Sequence, residues 1–162
     1  MKKTFLILLL IICSWNLFSQ NSLFDLAGDK TKIDYNQQTI AIAYSSMSCH
    51  SCYDDIHKFF VSKDIYNKFN VIVFANIDKK DNKNLSYKRQ LYNKMKEHFP
   101  LCNNIYFNSK RKGKSPVFFS KRMTNYLLPN IFVIKEGKLQ KYYSSSEQFL
   151  KVVELCNIWN SE

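Results

Sequence analysis

Cys49-His50-Ser51-Cys52 is the run of this chain whose residue types and spacing most directly suggest chemistry. If a helix begins there, the two thiols lie one turn apart, close enough to bridge as a disulfide. The helix start also offers unpaired backbone N–H groups and the positive end of the dipole, and both stabilise a thiolate on the first cysteine. Cys49 is therefore the expected exposed nucleophile. Cys52, inside the first turn and more buried, is expected to resolve a mixed disulfide. His50 sits between them, where an imidazole can donate to, or charge-stabilise, the Cys49 thiolate and make the pair more oxidising. An exposed loop histidine without effect is the equal alternative.

Three other readings compete. A static disulfide over so short a loop gains little chain-entropy stabilisation. Metal binding would recruit His50 or His57, yet no second Cys-x-x-Cys or His pair stands at ligand spacing. The third is a redox-inactive pair. Thiol chemistry is favoured because of what flanks the cysteines.

Thr39 to Tyr44 (TIAIAY) is β-branched and apolar on both faces, which predicts a central strand. Ser45 to Ser48 is a polar loop. From Cys52 the residues Ile56, Phe59, Phe60, Ile65 and Phe69 recur at helical spacing, with Asp54 and Asp55 expected in the first turn. Val71 to Ile77 predicts a second buried strand and Ser86 to His98 a helix ended by Pro100. Ile105 to Phe107 predicts a short strand. Ile131 to Ile134 and Leu139 to Tyr143, around a Lys135-Glu136-Gly137-Lys138 turn, predict a hairpin, and Ser146 to Trp159 a closing helix. Near the N-terminus, Leu23 to Ile33 predicts two short strands around Ala27-Gly28-Asp29-Lys30. The fold class is therefore α/β: a central mixed sheet flanked by helices on both faces, with an N-terminal β-hairpin.

Length and composition agree with one such domain. The 162 residues are 46% hydrophobic and 15% aromatic, too apolar for a disordered chain, and three Gly and three Pro exclude collagen-like architectures. Lys2 and Lys3 precede the uncharged stretch Phe5 to Ile12, followed by Ser14 to Ser19. These are the n-region, h-region and cleavage point of an export signal, too short to span a bilayer comfortably. The expected division is a signal peptide over 1–19 and a domain over 20–162. Cys13 follows Ile12, which is not the small residue a lipoprotein signal wants, so lipidation there or an uncleaved anchor is the minority reading. Cleavage removes two of the 24 Lys and Arg and none of the 13 Asp and Glu, lowering the net charge from +11 to +9. Cys49, Cys52, Cys102 and Cys156 remain. Their even number and export make disulfide chemistry permissible, in a periplasmic or other extracytoplasmic compartment.

The chain resembles the thioredoxin-like superfamily, in particular its redoxin (TlpA-type) branch of exported thiol-disulfide proteins. The resemblance runs from Phe24 to the C-terminus. It is carried by Phe24-Asp25-Leu26-Ala27-Gly28-Asp29-Lys30 with Ile33, by Ile40 through Cys52, and by Leu127-Leu128-Pro129-Asn130-Ile131 through Leu139. The resemblance implies that Pro129 is cis, packs beside Cys49, and turns the Leu128 backbone toward an incoming peptide. The plainer alternative is a proline that starts a strand. Two departures stand out: Ser48 replaces the usual Trp before the first cysteine, and Ala43 falls where many thioredoxins carry a buried carboxylate.

The implied function is thiol-disulfide exchange with protein substrates, without metal or organic cofactor. Electrons would come from a partner dithiol, soluble or membrane-bound. A non-catalytic peptide-binding module on the same fold, and a metal-handling protein using Cys49, His50 and Cys52, are the alternatives. Nucleic-acid binding is disfavoured by export and by the lack of an aromatic-basic module; the Lys110 to Lys114 run reads as a solvated loop. His57 and His98 stay outside the expected site. Cys102 and Cys156 are read as structural, buried or paired with each other.

Overall fold

A computed structural model describes residues 23–31, 33–34, 37–78, 81–110, 129–136 and 138–143. The signal segment, residues 111–114 of the basic run, the helix over 146–159, Leu128 and Cys156 lie outside the described residues.

Strands β1 (Leu23–Phe24) and β2 (Lys30–Thr31) form the expected N-terminal hairpin. Its turn is held by the Asp25 carboxylate, whose Oδ1 accepts from the Gly28 and Asp29 amides at 2.8 Å each. Gly28 takes a φ of 99°, a conformation that glycine adopts at no steric cost.

Strand β3 (Thr39–Tyr44) is buried throughout and leads to helix α1 (His50–Ser62) and the single-turn helix α2 (Ile65–Lys68). Strand β4 (Asn70–Asp78), helix α3 (Leu85–His98) and strand β5 (Asn104–Lys110) follow. Strands β6 (Asn130–Lys135) and β7 (Lys138–Tyr143) complete a seven-stranded sheet of order β2-β1-β5-β4-β3-β6-β7. The pairs β3–β4 and β4–β5 are parallel, whereas β6 runs antiparallel to β3. This is the expected mixed sheet.

Both parallel crossovers step the same way across the sheet, so the right-handed rule puts α1 and α3 on one face. There Ile40, Ile42 and Tyr44 pack with Tyr53, Ile56 and Phe60 of α1 and Leu91 and Met95 of α3. The alternate residues Ala41 and Ala43 face the other side with Phe74 and Phe132. Small alanines on β3 leave room there for the phenylalanines of β4 and β6. The described helices pack on the first of these faces, and the closing helix expected over 146–159 lies outside the described residues.

Several boundaries differ from expectation. Helix α1 starts at His50, so Asp54 and Asp55 lie in its second turn, beyond the strongest pull of the dipole. The apolar spacing from Ile56 to Phe69 crosses a break, because Asp64 takes a left-handed φ of 58° before α2. The α3 start is Leu85, capped by Asn84, whose Oδ1 accepts from the Tyr87 amide at 3.1 Å. Strand β5 is longer than Ile105 to Phe107. Among the described residues no helix is long and apolar enough to cross a membrane.

Candidate functional site

The end of β3, the Ser45–Ser48 loop and the start of α1 build the site. Ser45 anchors the loop twice: its carbonyl accepts from the Ser48 amide, and its own amide donates to the Tyr53 hydroxyl at 2.9 Å. Tyr53 is fully buried one residue after Cys52, so the first turn of α1 is pinned to the strand it leaves. Its hydroxyl in turn donates to the Ala43 carbonyl at 3.4 Å. Burial pushes the Tyr53 phenol up to about 12, opposed by hydrogen bonds from Ser48 and Ser45.

Cys49 is the N-cap of α1 and Cys52 lies in its first turn, as the spacing predicted. Both thiols are half-buried. The Cys49 thiol is held below its ordinary value, first by the Cys52 side chain, then by the Ser51 hydroxyl and the Cys52 backbone N–H. Cys49 Sγ lies 3.1 Å from Ser51 Oγ. These donors stabilise the thiolate, the form that attacks disulfides.

Ser48 is buried, whereas Met47 beside it is 74% exposed and puts an adaptable apolar side chain next to the dithiol. Pro129 is buried just ahead of β6. Because Asn130 pairs with Ala43, the register carries Pro129 to the end of β3 from which the loop to Cys49 departs. The Leu128–Pro129 bond includes a residue outside the described ones.

His50 is exposed, and its ring meets His98 rather than standing alone. The two centroids are 5.0 Å apart at 71°, edge to face. His98 Nδ1 lies 2.7 Å from Asp54 Oδ1. Tyr44 stacks on Tyr53 at 4.8 Å and both lie against His98. His98, Asp54, Tyr44 and Tyr53 thus adjoin the site although sequence reasoning left them out. The common face of the two crossovers puts α3 beside α1, but both helices run the same way along the sheet, so no sequence signal pointed to the meeting of His98 with the start of α1. His57 is elsewhere, with Nδ1 2.8 Å from the Tyr66 hydroxyl. Cys102 is also remote: burial raises its thiol, which contacts the Val71 carbonyl at 3.4 Å.

Among the described residues, no group of three or more His, Cys, Asp and Glu side chains is arranged to hold a metal ion.

No family model and no curated protein matches the chain in sequence. Solved structures do match. A proposed thiol-disulfide oxidoreductase from Bacteroides vulgatus superposes with a TM-score of 0.55 at 9% identity, over 90% of each chain. A proposed thioredoxin from Neisseria meningitidis gives a TM-score of 0.50 at 20% identity, over 86% of this chain and 87% of that one. With its leading hairpin, its mixed sheet and its dithiol at a helix start, the chain has the thioredoxin-like fold.

Proposed function

We propose that this protein is an exported thiol-disulfide oxidoreductase that exchanges disulfides with protein substrates through Cys49 and Cys52. One observation carries the reading: a partly exposed Cys49 thiol, held below its ordinary value, caps the helix whose first turn bears Cys52. The descriptions of the Bacteroides and Neisseria structures agree with this class.

In the reducing direction the Cys49 thiolate attacks one sulfur of a substrate disulfide. A Cys49–substrate disulfide forms and one substrate thiolate leaves. Cys52, after losing its proton to solvent, attacks the Cys49 sulfur, and the second substrate thiolate leaves as the Cys49–Cys52 disulfide closes. Two electrons have passed to the substrate, whose thiolates take up protons from water. A partner dithiol returns the electrons by the same exchange in reverse. Pro129 and the Leu128 backbone are the substrate-peptide contacts in this reading, and His50 modulates the Cys49 thiolate. Residues 1–19 are the export signal and 20–162 the working domain.

A second reading, a peptide-binding module without turnover, draws on Ala43, which supplies only a methyl group on the strand behind the dithiol. Insulin reduction by a partner dithiol separates the two. The oxidoreductase accelerates it and Cys49→Ser abolishes the acceleration. Wild-type turnover no faster than that of the serine variant would refute the enzyme reading.

A further inference from the structure

The exchange described above uses Cys49, Cys52 and His50 and gives no role to the ionisable pair beside them. His98, in the last turn of α3, is only 8% exposed. Asp54, one turn along α1 from His50, accepts the Nδ1 proton of His98 at 2.7 Å, which fixes the tautomer and the rotation of the ring. Tyr53 and Tyr44 hold the ring on further sides, with centroids at 5.7 and 6.0 Å. His98 is thus a fixed ring. Against it, at 5.0 Å and edge to face, rests the exposed imidazole of His50. The Cα of His50 is about 3.8 Å from that of Cys49, since the two are consecutive.

We propose that His98, oriented by Asp54, is a positioning residue that holds the His50 imidazole in one place, one residue along the chain from Cys49, so that a charge on His50 acts on the Cys49 thiolate from a fixed position. The proposal rests on the dithiol reading of Cys49 and Cys52. The titratable groups around His98 are Asp54, His50 and Tyr53 on α1 and Tyr44 on β3; Glu97 precedes it on α3. A held cation favours the thiolate. Its effect on the Cys49 rate shows where the thiol is mostly protonated and vanishes at pH 9, where a thiol held below its ordinary value is already largely ionised.

The test is the rate at which iodoacetamide alkylates Cys49, followed by peptide mass spectrometry from pH 5 to pH 9 in a Cys52→Ser background. His98→Gln and Asp54→Asn should each slow alkylation at pH 6 by about threefold to tenfold, the change in thiolate fraction for a shift of about half to one pK unit, and leave the rate at pH 9 unchanged. Neither should slow it further once His50→Asn is present. Removing a carboxylate by itself favours a nearby thiolate, so a slower Asp54→Asn reports lost positioning. Equal losses at every pH, or losses that persist with His50→Asn, would overturn the proposal. If His98→Gln does not fold, the half-exposed Asp54 carries the same test alone. Alkylation needs no substrate disulfide, so the two claims fail separately. The pH signature without insulin turnover keeps the positioning role and removes the exchange reading. Turnover without the signature does the reverse.

Discussion

At the scale of single residues, Tyr53 shows how the dithiol is held. Its hydroxyl takes the Ser45 amide and reaches the Ala43 carbonyl, tying the first turn of α1 to β3. Tyr53→Phe leaves the Ser45 amide unpaired, and the expected loss is about 1–2 kcal/mol in urea unfolding at pH 7. The variant also bears on pH. The folded phenol titrates at about 12 because it is buried, above its ordinary value of 10.0. The unfolded chain therefore releases this proton first as pH rises. The contribution is complete below pH 10 and lost by pH 12, about 2–3 kcal/mol in all. Wild-type stability should fall across that window, and Tyr53→Phe should flatten the decline; equal slopes would contradict the assignment. Cys49 and Cys52 were legible from spacing because their chemistry is local. His98 and Tyr44 were not, since their place at the site depends on which sheet face each crossover takes, and an isolated histidine near a helix end carries no such information.

At the scale of elements, α3 matters because its last turn delivers His98 while its first is fixed by Asn84. Asn84→Ala removes the cap and should cost about 1 kcal/mol in chemical unfolding. A cost below about 0.3 kcal/mol would mean that packing along α3 sets its start instead. Apolar periodicity located β3, β4 and β6 closely, because buried strands declare themselves by β-branched and apolar runs, and β7 followed from the turn that pairs it with β6. It failed for β5, which extends over Asn104 and Asn108. Those side chains donate to Asn70 and Asn76 at 2.9 and 2.7 Å, so polar residues sit in the ladder by satisfying one another across strands. Periodicity also ran through the Lys63–Asp64 break, since Ile65 and Phe69 are buried on both accounts. A single left-handed residue redirects the chain without disturbing the apolar spacing.

At the scale of the molecule, the seven-stranded sheet carries its dithiol at one end of an inner strand, where α1 leaves β3 and where β6 begins. Cys49 and Cys52 are both partly exposed there, which the proposed exchange with protein substrates needs. The proposed export follows from Lys2, Lys3 and the apolar Phe5 to Ile12 run. Expressed with its own N-terminus, the protein should appear outside the cytoplasm with Gln20 first; full-length chain retained inside would contradict this. The exchange reading itself is tested most directly by expressing Cys52→Ser in the native compartment and isolating mixed disulfides. The variant should accumulate covalent partners on Cys49, released by dithiothreitol and absent from Cys49→Ser/Cys52→Ser. If no partner is held through Cys49, the protein is not a thiol-disulfide exchanger.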